Sequence, residues 1–297
     1  MARKKVVVAG ATGLVGNAAL RHFGASGGCD VVALSRRKPR DLFCARHVQI
    51  DLTDAAQCRS AAAELQGATH LVYAALYEAP NLIDGWRDPN QIRINDLMLR
   101  NLMAALEPAA PQLAHVALLQ GTKAYGVHVR PLIVPAREGR SEMYEQPNFY
   151  WAQESFLREL QHGKAWHWSI LRPVLIVGQA IGGAMDLIPP LGVYAAMLRQ
   201  QGRPLDYPGG AARVSQAVDV DLLARAIACA SDSGTALPGF ISKAAAIAGQ
   251  TFSQVKTSPL VTLKASLRAA AASPVQAMAR AKRSTSTACD TRAAPPG

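Results

Sequence analysis

An α/β fold, a doubly wound parallel sheet with helices on both faces, is what this sequence predicts. Three observations carry the prediction. Strand-like apolar runs alternate with helical stretches from about residue 5 to about residue 230, and that alternation gives parallel strands joined by crossover helices. The first apolar run, Val6–Ala9, leads directly into Gly10-x-x-Gly13-x-x-Gly16. At 297 residues with 49% apolar side chains, the chain can bury the core of one large α/β domain and a small substrate lobe. Together these describe a Rossmann-type doubly wound sheet.

The glycine turn is placed to hold a dinucleotide. Gly10 permits the tight turn after the strand, and Gly13 has no Cβ to keep a pyrophosphate off the backbone. Gly16 lets the next helix, about Leu14 to His22, pack close on the sheet. The phosphates would sit at that helix's N-terminus, where free N–H groups and the dipole favour anions. Thr12, Leu14 and Val15 belong to the same cradle. An NAD-specific fold ends its second strand in an acid that binds the ribose 2′-hydroxyl. Here the second strand, Asp30–Leu34, is followed by Ser35-Arg36-Arg37-Lys38. Two guanidiniums can clamp a 2′-phosphate and stack on adenine, which favours NADP(H). The third strand, His47–Ile50, runs into Asp51-Leu52. Asp51 either meets the adenine amino group or caps the helix that starts near Ala55.

Further strands are expected at His70–Ala74, His115–Leu119, His167–Leu171 and Gly239–Ser242. Helices are expected at Ala55–Leu65, Pro89–Leu106, Tyr150–His162, Asp186–Gln201 and Val220–Ala230. Ligands in such sheets lie beyond the carboxyl ends of the strands. Chemistry is therefore expected at Ala74–Leu76, Gln120–Gly126 and Arg172–Ile176. Ala74, Ala75, Gln120, Pro173, Val174 and Ile176 are assigned to the cofactor.

Short-chain dehydrogenases usually carry Tyr-x-x-x-Lys on one helix. Tyr150 heads a fitting helix, but position 154 is Glu154. A lysine does occur at the end of the fifth strand, in Gly121-Thr122-Lys123-Ala124-Tyr125-Gly126, and that strand end adjoins the tyrosine's helix. These two segments, the second read as Pro147-Asn148-Phe149-Tyr150-Trp151 with Glu154, closely resemble the progesterone 5β-reductase and iridoid synthase-like reductases. The resemblance continues through Trp168–Pro173 and Val193-Tyr194 to about Ala230, roughly three quarters of the chain. It implies an atypical short-chain dehydrogenase that uses NADPH to reduce the C=C bond of enones and enals. It assigns catalysis to Tyr150 and Lys123, which also contact the cofactor. Members of that family usually have a second Tyr where this chain has Trp151, and often Asp where it has Ser155.

The chemistry follows from the residues as well. Hydride delivered to the β-carbon of an enone pushes negative charge onto the carbonyl oxygen, and a donor placed there lowers the barrier. Tyr150 is that donor, and a nearby ammonium such as Lys123 would favour its ionised form. Two alternatives stay open. One is an extended-type carbonyl or sugar-nucleotide oxidoreductase or epimerase, against which the missing Tyr-x-x-x-Lys counts. The other is a non-catalytic NADP-binding regulator.

The net charge of +11 is concentrated at one end. Residues 236–297 hold eight Lys and Arg against one acid, Asp290, whereas residues 1–235 are nearly balanced. No basic patch interleaved with aromatics is present, so no nucleic-acid partner is expected. No metal is expected either, because the seven histidines show no ligand spacing. Cys29, Cys44, Cys58, Cys229 and Cys289 form no C-x-x-C and are read as free thiols in the cytoplasm. The opening MARKKVVVAGATG is read as the first strand, and no membrane partner is expected. A homodimer is compatible with this class. Residues 1–235 form the cofactor-binding unit, with part of the substrate pocket at about 174–205. Residues 236–297 are Ala- and Ser-rich and poor in aromatics. They read as a disordered tail, a divergent lobe, or the product of a frameshift near Gly234–Pro238.

Overall fold

Continuous apolar runs bounded by polar or glycine residues make strands that are buried on both faces. Val6, Val7, Val8 and Ala9 have no exposed surface, nor do Val32, Ala33 and Leu34. In the computed structural model, which describes residues 3–79, 85–131, 136, 143–179, 186–206 and 216–232, these runs are β1 (Lys4–Ala9) and β2 (Cys29–Ser35). With β3 (Arg46–Gln49), β4 (His70–Tyr73), β5 (His115–Leu119) and β6 (His167–Leu171) they form a six-stranded sheet in the order β3-β2-β1-β4-β5-β6. Every pairing in it is parallel. Strand order reverses between β1 and β4, which opens a crevice at their carboxyl ends. The expected doubly wound sheet is therefore present.

Helix α1 (Leu14–Ala25) packs on one face together with α7 (Val220–Asp232), through Leu14, Ala18, Val220 and Ala224. The other face is covered by α2 (Ala55–Ser60), α3 (Ala62–Leu65), α4 (Pro89–Ala109) and α5 (Phe149–Gln161). Leu65, Leu99, Leu102, Leu106 and Leu157 form that layer and are fully buried. The single helix expected at Ala55–Leu65 is broken at Ala61, which caps α2 and starts α3. Asp54, not Asp51, caps α2 by accepting from the N–H groups of Ala56 and Gln57. Two short strands were not anticipated: β7 (Leu175–Val177) pairs in parallel with β8 (Ala217–Asp219) beside the main sheet.

One expectation is corrected. From the sequence, Met185, Leu187, Ile188, Leu191, Tyr194 and Met197 form an apolar face at helical spacing, which reads as core packing, and the family resemblance adds that some of these side chains also line the substrate pocket. In α6 (Ile188–Gln200), however, only Leu198 is buried, while Ile188 and Met197 are exposed. The reason is placement: no α6 side chain joins the hydrophobic clusters on either face of the sheet. Met185, the strand expected at Gly239–Ser242 and the whole of residues 236–297 lie outside the described residues. Cys29, Cys58 and Cys229 are free thiols, whereas Cys44, also expected to be free, is disulfide-bonded. Burial and the carboxylates of Asp54 and Asp51 push the Cys58 thiol up to about 11, leaving it unreactive. Among the described residues no helix is long and apolar enough to cross a membrane.

His70, His115 and His167 open three neighbouring strands at one level of the ladder. Burial, reinforced by the flanking His70 and His167, lowers His115 to about 4, while Asp232 opposes the shift weakly. The His115 Nδ1 atom is buried without a partner. An imidazole in the unfolded chain titrates near 6.5. Between about pH 6.5 and 4 the unfolded chain therefore binds the extra proton, and stability falls as pH falls. The loss should approach about 3 kcal/mol near pH 4 and reach about 2 kcal/mol at pH 5. Chemical denaturation measured at pH 7.5 and at pH 5 should show it. His115→Gln should flatten that slope, and an unchanged slope would remove the assignment.

Candidate active site

The turn after β1 is shaped by contacts that exclude side chains. Gly10 has φ +82°, and a Cβ on it would lie 2.5 Å from the Ala74 carbonyl oxygen. A Cβ on Gly16 would lie 2.2 Å from the Gly10 carbonyl oxygen. Gly16 is thus required by the turn itself, not by helix-to-sheet packing. At Gly13 a Cβ would lie 3.3 Å from the Gly10 carbonyl oxygen, a tight contact inside the turn. No side chain caps α1 at Gly13. Its first N–H groups are left for an anion.

These elements line a cleft of about 510 Å3 at the carboxyl ends of the strands, within the usual size for a cofactor site. Gly10, Thr12, Gly13, Leu14 and Val15 form its floor at the turn. Ser35, Arg36, Arg37, Asp51 and Leu52 line one end. Ala74, Ala75, Gln120, Lys123, Tyr150, Pro173, Val174 and Ile176 line the other. Of the residues assigned to cofactor or catalysis, only Gly16 lies off the cleft wall. The fit to a nicotinamide dinucleotide is good: a cradle that a Cβ would fill, a free helix N-terminus and a basic end. Arg36 and Arg37 are exposed. Ser35, in the place of the usual acid, spends its hydroxyl on the Arg37 carbonyl (2.7 Å). Asp51 accepts from the backbone N–H and the hydroxyl of Thr53 (2.9 and 2.8 Å).

Tyr150 stands in the first turn of α5, where the Asn148 side chain caps the helix by accepting from the Tyr150 N–H (3.0 Å). Its hydroxyl lies 3.2 Å from where a Cβ on Gly121 would be, so a side chain at 121 would crowd it. Trp86 and Phe149 each meet the Tyr150 ring edge to face, and they lie tilted against one another. Burial raises the Tyr150 phenol well above its ordinary range; Glu78 adds to this and Arg172 opposes it. Lys123, in the short 3-10 turn after β5, places its ammonium over the Trp86 ring, 3.5 Å from the centroid. Burial lowers its pKa, and Glu78 works in the other direction. Lys123 is not among the charges that shift Tyr150. The expected lowering of the phenol by a nearby ammonium is not found: burial dominates, and the opposing charge is that of Arg172.

Glu154 has a definite partner. It is buried, and its carboxylate pairs with Arg172 (3.1 Å), itself buried, and with Arg158 (3.0 Å). Arg172 donates to the Gln120 side chain (2.8 Å), and Gln120 donates to the Tyr150 carbonyl (3.3 Å). One polar chain therefore ties the ends of β5 and β6 to the turn that carries Tyr150. Trp151 donates its indole N–H to the Met143 carbonyl (2.9 Å). A second network was also invisible in the sequence. Gln153 donates to the Asn95 carbonyl, Asn95 bonds both backbone groups of Tyr77, and Gln91 accepts from the Ala79 N–H. This network fixes the loop after β4, which carries Leu76 and Glu78 into the cleft. Gln91 and Asn95 lie on the same stripe as Met98, Leu99, Leu102 and Leu106. Their helical spacing on an inward face was the signal available.

A glycine-turn cleft at the switch point of a parallel sheet, with a buried tyrosine and a lysine on its wall, defines a Rossmann-fold protein of the short-chain dehydrogenase type. The fold is shared with UDP-glucose 4-epimerase from Thermus thermophilus in complex with NAD, at TM-score 0.58 and 20% identity over 82% of this chain and 83% of that one. More specifically, residues 43–231 match the PRISE-like Rossmann-fold domain, and the chain belongs to that family. It is 32% identical over 236 residues to (S)-8-oxocitronellyl enol synthase of Camptotheca acuminata, covering 73% of this chain and 58% of the relative. It is 33% identical over 219 residues to 3-oxo-Delta(4,5)-steroid 5-beta-reductase of Arabidopsis thaliana, covering 68% and 54%. The chain thus spans little more than half the length of these relatives.

Proposed function

We propose that this protein is an NADPH-dependent reductase of activated C=C bonds in enones or enals. The observation that carries the reading is Tyr150: a buried phenol, kept protonated, on the wall of the same cleft as the glycine turn and Lys123. When bound, the dinucleotide supplies hydride to the substrate β-carbon. Negative charge then develops on the carbonyl oxygen, and a neutral phenol donates to that oxygen where the charge appears. A phenol that is hard to ionise suits this role, because it must hold its proton in the resting site. Lys123 brings positive charge to the same wall. Gln120, Arg172 and Glu154 hold the turn that aims Tyr150. The reading is supported by relatives named as a 5-beta-reductase and enol synthases. NADPH oxidation with a panel of small enones tests it. NADPH binding without turnover of any enone or carbonyl compound would replace it with a regulatory reading.

The cofactor preference is a separate expected result. Arg36 and Arg37 line the adenosine end, where Ser35 stands in the place of the usual acid, so NADPH should bind more tightly than NADH. Each charge-assisted contact to a phosphate contributes about 1.5–3 kcal/mol. Arg36→Ala with Arg37→Ala should erase most of the difference in Kd, read by tryptophan fluorescence. Equal affinity for both cofactors in the unaltered protein would refute the NADPH assignment.

A further inference from the structure

Two polar atoms in the cleft lack a partner among the described residues. The Trp86 indole Nε1 and the Glu78 carboxylate Oε1 are both buried, and neither has a hydrogen-bond partner among the described residues. Both residues line the cleft with Tyr150 and Lys123. Trp86 is only 4% exposed. Its ring surfaces are taken: the Lys123 ammonium lies over it, and Phe149 and Tyr150 pack at 4.8 and 5.4 Å. Only the N–H on its rim is unused. Buried donors and acceptors are nearly always paired, and an orphan at a cleft calls for a partner such as a ligand or water. One orphan donates and the other accepts. A hydroxyl group satisfies both at once, because it accepts from an N–H and donates to a carboxylate. A bare hydrocarbon satisfies neither.

We propose that Trp86 and Glu78 form a hydroxyl-recognition subsite beside Tyr150, so that preferred substrates carry a hydroxyl group at the carbonyl end. This rests on the reductase reading above, since it assumes that Tyr150 holds the carbonyl oxygen. Trp86 meets the Tyr150 ring edge to face, so the subsite and the phenol that would hold the carbonyl share one wall of the cleft. The Glu78 carboxylate is desolvated, which disfavours its charge, while Lys123 favours it. A neutral hydroxyl donor relieves that desolvation without bringing a second cation next to Lys123. The Glu78 position is held firmly, because Asn95 and Gln91 bond the backbone on either side of it.

The test compares hydroxymethyl vinyl ketone with its near-isostere ethyl vinyl ketone, using the full chain and NADPH. The unaltered protein should favour the hydroxy ketone in kcat/KM by about tenfold, the value of one good hydrogen bond to a charged group. Trp86→Phe keeps a ring beneath Lys123, and Glu78→Gln keeps the side chain's shape. Each should bring the ratio close to one, whatever happens to the absolute rates. A ratio unchanged in both variants would overturn the subsite, and would leave Glu78 as a partner of Lys123 only. Weaker NADPH binding in both variants, with the ratio intact, would assign the two groups to the cofactor and also overturn it. If neither ketone is reduced, the reductase reading fails separately. Binding of hydroxyacetone against butanone, followed by calorimetry, then decides the subsite: equal affinity overturns it, and preference for hydroxyacetone that is lost in the variants supports it.

Discussion

Tyr150→Phe should lower enone turnover by about 10²–10³-fold, the usual effect of removing one donor to a developing oxyanion. The ring packs against Trp86 and Phe149, and phenylalanine keeps that packing. Folding and NADPH affinity should therefore survive, and the loss should fall on kcat. Lys123→Ala should reduce turnover as well, and it should also weaken NADPH if the lysine makes the cofactor contact assigned to it. The double variant should be little worse than the poorer single one if the two groups act as a unit. Single-turnover kinetics with saturating NADPH separates the two effects. An unchanged kcat in Tyr150→Phe would rule out the role assigned to the phenol.

Glu154→Ala should destabilise the fold severely. The carboxylate and the Arg172 guanidinium are almost completely buried, with side-chain exposures of 8% and 6%. Removing one partner strands the other charge in the interior at a cost of about 3–5 kcal/mol. For a domain of this size that corresponds to roughly 10 °C in Tm. Glu154→Lys is a more pointed test, because it writes Tyr-x-x-x-Lys into the helix. It should be worse than alanine, since it faces a second cation toward Arg172. Pairing Glu154→Leu with Arg172→Met should recover most of the loss, as buried ion pairs replaced whole by apolar groups often do. Thermal unfolding of these variants measures each outcome. A Glu154→Lys protein as stable as the parent would show that the ion pair does not hold the turn.

What the sequence disclosed follows from the range of the forces involved. Strands β1, β2, β4, β5 and β6 are runs of apolar residues between clear breaks, and their positions are readable to within a residue or two. The glycine turn is a local backbone requirement, so it is readable too. Strands β7 and β8 have three residues each, too few for a periodic signal, and they exist because the chain brings two distant segments together. The cleft residues with spacing or a family pattern, Lys123 and Tyr150 among them, were found. Trp86 and Glu78 sit in a stretch without a motif, and only three-dimensional placement shows that their polar atoms lack partners. Glu154 was noticed as a missing lysine. Its partner, Arg172, lies on another element 18 positions away, and no local rule pairs them.

The amide clamp formed by Gln91, Asn95 and Gln153 grips the loop after β4 almost wholly through main-chain atoms. Nothing in that grip depends on which side chains the loop presents. Leu76, exposed at the cleft, can be exchanged for other residues without disturbing the backbone that supports it. The loop then serves as a fixed rack with interchangeable fittings. Selection can retune what enters the cleft one side chain at a time, while the three buried amides bear the cost of keeping the rack in place.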